Sequence, residues 1–130
     1  MDDQAYVYVK GNQAEIHLPA GVTVQVKVKS NSQLTQKVTL KDKTGEVDLE
    51  FTGTGERNTI IGDKTIIPSQ NFLLNAVFEY ADADGIFKPS KLNSGGPYDI
   101  GNYHLLVAVA ENGDDTDYND TILEFNWHAK

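Results

Sequence analysis

The most chemically capable stretch of the sequence is the ten-residue segment from Glu111 to Asp120, which is E-N-G-D-D-T-D-Y-N-D. It carries five carboxylates and two side-chain amides, and it lies between two apolar runs. Because like charges at this density repel one another, an ordered loop of this composition needs a cation. Every ligand on offer is a hard oxygen and the chain has no cysteine. This donor set favours calcium, with magnesium second, over zinc or copper.

The spacing of the acids excludes the best-known calcium loop. Asp115, Asp117 and Asn119 match positions 1, 3 and 5 of an EF-hand, but the required Gly and Glu are replaced by Asp120 and Asn126. Both flanks alternate as strands do, so the pattern predicts a loop between two strands. The loop has more carboxylates than one calcium needs, which suggests two ions that share ligands. The alternative is an acidic, solvated hairpin turn that binds no metal.

Composition limits the partners and the compartment. The chain has 130 residues and no cysteine, so we expect one domain over residues 1–130 with no catalytic thiol. A net charge of −8 argues against nucleic acid or an anionic membrane as a partner. The start of the chain has no signal-peptide pattern and no stretch is long enough to cross a bilayer. We therefore expect a soluble protein, cytoplasmic at synthesis, whose release to the cell surface or the extracellular space would need a signal-independent route.

The elements that must position the acidic loop show a period of two. Val22–Lys29 is the clearest case, with four valines on one face and polar residues on the other. Similar runs recur between turn residues along the chain, and no stretch has a helical period. The pattern predicts an all-β fold, an antiparallel β-sandwich of eight or nine strands. Residues 81–102 are rich in glycine and proline, and we expect there a surface excursion or a short strand around Ile86–Lys88.

Catalysis finds little support in the sequence. His17, His104 and His128 lie outside any nucleophile motif. Paired carboxylates could form a glycosidase site, but acids that cluster in one short loop are more often metal ligands than a separated acid and base. The chain also lacks a phosphate-binding glycine loop and a basic aromatic stripe.

Three segments resemble the LecB-type (PA-IIL-like) bacterial lectins, which are soluble, calcium-dependent proteins that bind fucose and mannose. The family loop is E-D-G-x-D-x-D-Y-N-D, close to Glu111–Asp120 here. Leu18–Ala20 (L-P-A) precedes Ser30–Gln36 at the family's spacing between L-P-A and a calcium-binding Asn, and three residues follow Trp127, as in the family. Residues 51–62 also align, so the resemblance covers about residues 14–130.

The resemblance implies two calcium ions in one site. The first ion would be held by Glu111, Asp115, Asp117 and Asp120. The second would be held by Asn31, Asp117, Asn119, Asp120 and the C-terminal carboxylate of Lys130 from a neighbouring subunit. A shared terminus makes the protein at least a homodimer. Adjacent hydroxyls of a fucose- or mannose-type sugar would then coordinate both metals directly.

The same resemblance assigns the sugar contacts. The residues implied are Ser32, Gln33 and Leu34 as the specificity loop, Asn112 and Gly113 against ring hydroxyls, Asp115, Asp117 and Asp120 at the metals, and Glu56 at a family Thr that faces the fucose methyl. Several positions depart from the family. Asn112 replaces an Asp that accepts from the sugar, while Gln33 and Leu34 are bulkier than usual. Glu56 favours mannose-type ligands, whereas Ser32 points the other way.

Residues 1–12 form an N-terminal extension that is similar to the larger, dimeric, mannose-binding members of the family. We expect a lectin without catalytic activity, whose partners are fucose- or mannose-containing glycans. Two other classes remain open: a structural or adhesin β-sandwich in which calcium only holds the fold, and a calcium-dependent glycosidase. Asn31 and the three-residue tail after Trp127 discriminate against a structural site, which needs neither at these positions.

Overall fold

The fold consists of strands throughout the part of the chain that the structure, a computed structural model, describes: residues 5–42, 47–68, 72–81, 84–111 and 120–128. The strands are β1 (Tyr6–Lys10), β2 (Gln13–Leu18), β3 (Val24–Asp42), β4 (Asp48–Ile66), β5 (Phe72–Ala81), β6 (Phe87–Pro89), β7 (Lys91–Ile100), β8 (Tyr103–Glu111) and β9 (Thr121–His128). The all-β class and the strand number predicted from the alternation are confirmed. No helix able to cross a membrane occurs among these residues.

The strands form one antiparallel sheet that curls around its core. The order of neighbours is β1-β2-β5-β3-β9-β8-β7, with β4 added to β3 and β6 added to β5. The two ends of this path, β1 and β7, lie against each other, so the sheet nearly closes. Two facing layers of strands thus enclose the apolar side chains, as expected for a sandwich.

The long strand β3 connects the two halves of the sheet. Its first part, Gln25–Ser30, pairs with β9, and its last part, Thr35–Asp42, pairs with β5. The hairpin partner β4 follows β3 along both parts, with register shifts between Ser30 and Gln36. The sequence pattern predicted two strands separated by a loop here. The structure instead has one strand with a bend, and the bend carries the expected specificity loop.

Alternating burial determines how β3 faces the core. Val24, Val26 and Val28 are fully buried, and the alternation continues beyond the bend to Val38 and Leu40. Each such side chain contributes roughly 1.5–3 kcal/mol by leaving water. A slip of one residue would expose the whole row, so the register of β3 is strongly specified. The same core fixes β8 and β9, whose inward side chains include Leu106, Ala108, Leu123 and Phe125.

The glycine- and proline-rich segment is more regular than its composition predicted. A short strand, β6, occupies Phe87–Pro89 as expected, but Lys91–Ile100 forms a second, full strand where a surface excursion was the alternative. β7 pairs with β8 through a register shift between Gly95 and Tyr98. Gly96 has a φ of 105°, and a Cβ there would lie 2.7 Å from the Leu105 carbonyl oxygen. Glycine thus permits a bulge that brings the two backbones together.

The predicted N-terminal extension belongs to the sheet. Within residues 1–12, β1 pairs with β2 from Tyr6↔His17 to Lys10↔Gln13, and Gly11 turns the chain at a φ of 63°. Ala5, Val7 and Val9 pack against the core from this strand. The extension therefore adds an outer strand next to β2.

Candidate functional site

The end of β8, the start of β9 and mid-strand positions of β3 and β4 meet at one edge of the sheet. Strand pairing aligns one row across β8, β9, β3 and β4, made of Ala110, Thr121, Ser30 and Thr59. One residue beyond this row lie Glu111, Asp120, Asn31 and Asn58. We call these four residues the acidic edge. They include three of the predicted calcium ligands, which come from distant parts of the sequence.

Backbone hydrogen bonds tie this edge together. The Asp120 N–H donates to the Ala110 carbonyl at 3.0 Å, so the chain entering β9 is held against the end of β8. The Asn31 N–H donates to the Asp120 carbonyl, also at 3.0 Å. The two ends of the acidic segment therefore lie beside each other and beside the β3 bend.

Two carboxylates of the acidic edge are buried. Glu111 is 1% exposed and Asp120 is 6% exposed. Removing an ionised carboxylate from water costs several kcal/mol unless hydrogen bonds or opposite charge offset the loss. A divalent cation supplies positive charge together with direct oxygen coordination. The donor set at this edge, two carboxylates and an Asn, thus fits a hard cation.

The specificity loop predicted from the resemblance contacts the predicted Glu56. Gln33 Nε2 donates to Glu56 Oε2 at 2.8 Å, which joins the β3 bend to the bulge that β4 forms at residues 56–58, which we call the β4 bulge. The Thr54 hydroxyl lies 3.0 Å from the carbonyl oxygens of both Ser32 and Gln33. The Leu34 N–H donates to Ser32 Oγ at 3.0 Å. Four of the predicted sugar-binding residues therefore form one connected wall next to the acidic edge.

The side chain of Asn31 is held by Asn58. The Asn58 N–H donates to Asn31 Oδ1 at 2.6 Å, and Asn31 Nδ2 donates to Asn58 Oδ1 at 2.8 Å. Arg57 and Asn58 both have left-handed backbone conformations, with φ of 64° and 58°. Asn adopts this conformation more readily than most residues. Glycine and asparagine in Gly55-Glu56-Arg57-Asn58 are typical turn residues, so this composition could have predicted the β4 bulge.

A buried polar pair lies behind the bend and was also missed. Gln36 is fully buried, and its Nε2 donates to the Leu34 carbonyl at 3.1 Å. Its Oε1 accepts a hydrogen bond from the hydroxyl of Thr121, the first residue of β9. The Ser30 hydroxyl donates to the Gly55 carbonyl at 3.0 Å. These bonds satisfy buried polar groups and set the position of the bend relative to β9 and β4.

Part of the predicted site lies outside the described residues. This part comprises Asn112, Gly113, Asp115, Asp117, Asn119 and Lys130. Within the described ranges, no group of three or more His, Cys, Asp or Glu side chains is placed to hold a metal. The two-ion ligand set and the shared terminus therefore stay predictions. The structure places the described members of the set, Asn31, Glu111 and Asp120, next to the wall formed by the β3 bend and the β4 bulge.

A second group of titratable side chains lies at the opposite end of β8. His104 Nδ1 is 2.5 Å from Asp99 Oδ1, and the imidazole stacks on Trp127 with ring centres 5.5 Å apart. His128 packs against Tyr103. These contacts explain the two histidines as parts of the β7–β8–β9 packing.

The described part of the chain is thus an antiparallel all-β fold that gathers hydrogen-bonding side chains at one edge of its sheet. The model of the fucose-binding lectin II (PA-IIL) family matches residues 16–129. The chain belongs to this family, which confirms the resemblance drawn from the acidic segment. A comparison with curated protein sequences gives no match.

Solved structures agree with this assignment. The Ralstonia solanacearum high-affinity mannose-binding lectin shares 25% identity and a TM-score of 0.69, over 95% of this chain and 100% of that one. The Chromobacterium violaceum lectin CV2L, solved in complex with alpha-methyl-fucoside, shares 28% identity and a TM-score of 0.69, over 94% and 100%. The C-terminal domain of the BC2L-C lectin from Burkholderia cenocepacia, at 23% identity and a TM-score of 0.70 over 93% and 98%, shares the fold. The protein is thus a sugar-binding lectin by family.

Proposed function

We propose that the protein is a non-catalytic lectin that binds fucose- or mannose-type sugars through two calcium ions at the acidic edge. The observation that carries the proposal is the meeting of buried Glu111 and Asp120 with Asn31, through the Asn31–Asp120 backbone hydrogen bond. Family membership supports sugar binding, and similar structures include a mannose-binding lectin and a complex with a fucoside.

The predicted ligand set balances the charge of two divalent ions. It comprises the carboxylates of Glu111, Asp115, Asp117 and Asp120, the oxygens of Asn31 and Asn119, and the C-terminal carboxylate of Lys130 from a partner copy. Five negative groups against four positive charges leave the bound site nearly neutral. Calcium accepts six to eight oxygen ligands, so neutral hydroxyls of a sugar can complete the coordination.

The wall formed by the β3 bend and the β4 bulge would orient the sugar. Ser32, Gln33 and Leu34 lie on it, and the Gln33–Glu56 hydrogen bond fixes a carboxylate at its rim. A carboxylate at this rim repels acidic sugars and accepts hydrogen bonds from neutral hydroxyls. We therefore expect selection of neutral monosaccharides over sialylated or sulfated ones.

The test is binding to a glycan array with calcium, after chelation, and after calcium is restored. We expect binding to fucose- or mannose-bearing glycans that chelation removes and calcium restores. The variant Asp120→Asn keeps the side-chain volume and removes one charge, and it should weaken binding by on the order of 100-fold. The matched control is Asp48→Asn, an exposed aspartate at the start of β4, which should bind as the unmodified protein does.

Three outcomes would contradict the proposal. Sugar binding that persists unchanged in Asp120→Asn would remove this carboxylate from the site. Calcium that raises the melting temperature while no monosaccharide binds would favour the structural β-sandwich instead. Release of aryl alcohol from aryl fucosides or mannosides would favour the glycosidase.

A further inference from the structure

A row of polar and aromatic side chains crosses the outer face of the sheet, away from the acidic edge. Strand pairing aligns Tyr8 with Glu15, Glu15 with Asn75, and Asn75 with Lys41. All four side chains are exposed, since their inward neighbours form the core. Adjacent strands are about 4.8 Å apart, so the row from β1 to β3 spans about 14 Å.

Two adjoining hollows lie along this row. A groove of about 520 Å³ is bordered by Tyr8, Lys10, Gly11, Asn12, Gln13, Glu15 and Asn75. A neighbouring hollow of about 320 Å³ is bordered by Glu15, Lys41, Asp42, Leu73, Leu74 and Asn75. The two hollows share Glu15 and Asn75 and therefore adjoin at these residues, and we call them together the Tyr8 groove.

Tyr8 presents a large aromatic side chain to solvent. It is 61% exposed, although it belongs to a strand whose Val7 and Val9 pack against the core. An exposed ring beside amides and a carboxylate combines an apolar platform with hydrogen-bonding groups. Sugars need both, because a pyranose has an apolar C–H face and hydroxyls around its rim.

The carboxylate of Glu15 is oriented by its neighbours. The Tyr6 hydroxyl donates to Glu15 Oε2 at 3.0 Å, and the Tyr6 ring stacks on His17 with planes 8° apart. Burial, followed by the hydrogen bond and the charge of Glu15, raises the pKa of Tyr6 above its usual 10. The Tyr6 hydroxyl therefore orients the Glu15 carboxylate, which borders both hollows.

The Tyr8 groove is separate from the proposed calcium site. Lys41 follows Asn31 by ten residues along β3, about 33 Å of extended strand. None of the residues that border the groove belongs to the predicted metal or sugar sets. Binding there would therefore need no cation.

We propose that the Tyr8 groove is a second, calcium-independent carbohydrate site that takes a neutral oligosaccharide of two or three units. The Tyr8 ring would pack on the C–H face of one pyranose. Glu15, Gln13 and Asn75 would hydrogen-bond to hydroxyls of this unit and the next one, and Lys41 would close the far end. The calcium site and this groove would then bind different parts of one glycan, or two glycans.

The test uses the full chain in EDTA with four neutral probes: mannotriose, maltotriose, cellotriose and chitotriose. We expect millimolar binding of at least one probe by NMR titration, with amide shifts concentrated on β1, β2 and β5. Tyr8→Ala should weaken this binding about ten-fold or more, whereas Tyr8→Phe should retain it. Ile60→Ala is the control, since Ile60 is 54% exposed on β4, where it pairs with Lys29 away from the groove.

The outcomes separate this site from the calcium site. Asp120→Asn should keep binding in EDTA whichever way the lectin proposal is decided, and it should weaken only the calcium-dependent binding that this proposal expects. Absence of shifts with all four probes would overturn the proposal, as would equal losses in Tyr8→Ala and Ile60→Ala. A change of solution mass in Tyr8→Ala would also overturn it, because the groove would then be an interface between copies.

Discussion

Asn31 shows how the position of one candidate ligand depends on a residue far along the chain. Both polar atoms of its side-chain amide are engaged by Asn58, and its N–H is bonded to Asp120. Asn58 in the β4 bulge thus orients the Asn31 amide, while the hydrogen bond to Asp120 holds the Asn31 backbone beside the start of β9. Asn58 is accordingly a positioning residue for the acidic edge.

This dependence predicts the effect of Asn58→Gly. Glycine adopts a φ of 58° easily. It also keeps the backbone N–H that donates to Asn31 Oδ1, so the variant loses only the hydrogen bond from Asn31 Nδ2 to the Asn58 side chain. One hydrogen bond contributes about 1 kcal/mol, so calcium-dependent sugar affinity should fall about five-fold by isothermal titration. The control is Arg57→Gly, at a φ of 64°, which makes the same backbone change and should leave affinity nearly unaltered. Equal losses of affinity in the two variants would mean that the rigidity of the β4 bulge, and not the Asn58 side chain, supports the site.

At the scale of elements, the site depends on the bend in β3 and on the β4 bulge at residues 56–58. The bend occurs where β3 leaves β9 and joins β5, and a strand that changes partners there must depart from regular pairing. Buried Gln36 and Thr121 fill the bend with a satisfied polar pair. The specificity loop is therefore a bent section of a strand that buried hydrogen bonds hold in place, which makes it a stiff support for recognition.

The β7–β8 pair makes a prediction about stability. Gly96→Ala should destabilise the fold, because its Cβ would meet the Leu105 carbonyl and alanine disfavours a φ of 105°. We expect a loss of about 2–4 kcal/mol in the free energy of unfolding, measured with urea. Gly85→Ala is the matched control: its φ is 75° and its Cβ would meet nothing within 4 Å, so about 1 kcal/mol of backbone strain remains. A smaller loss at Gly96 than at Gly85 would contradict the close approach of β7 and β8.

At the scale of the whole molecule, the net charge of −8 and the proposed sharing of the C-terminal carboxylate both affect how copies of the chain associate. Five of the nineteen acids lie in the segment from Glu111 to Asp120, so bound calcium would remove much of the self-repulsion. A partner copy that completes each site with Lys130 would couple sugar binding to dimerisation. Two sites in one assembly would also raise avidity for surface glycans without any new contact.

This coupling predicts that a C-terminal extension impairs the lectin. Because the proposed ligand is the terminal carboxylate of Lys130, a C-terminal hexahistidine tag should weaken calcium-dependent sugar binding by about ten-fold or more. The same tag at the N-terminus is the control and should leave the affinity unchanged. Mass photometry should show at least a dimer. Full affinity in the C-terminally tagged protein would refute the shared site.

The sequence by itself determined the all-β class, the inward faces of the strands with clear alternation, and the oxygen-rich chemistry between β8 and β9. These features are local: alternation along Val24, Val26 and Val28 needs only neighbouring residues, and the acids of the loop are adjacent in the chain. The loop motif was also specific enough to indicate the lectin family, which the family match over residues 16–129 confirms.

Only the tertiary structure decided which distant residues meet. It joined β3 into one bent strand, placed Asn58 on Asn31, and turned the glycine-rich residues 91–100 into β7. It also aligned Tyr8, Glu15 and Asn75 from three strands into one groove. Such contacts depend on which strands pair and in what register, and that choice is made by burial of the common core, not by the residues that the core brings together.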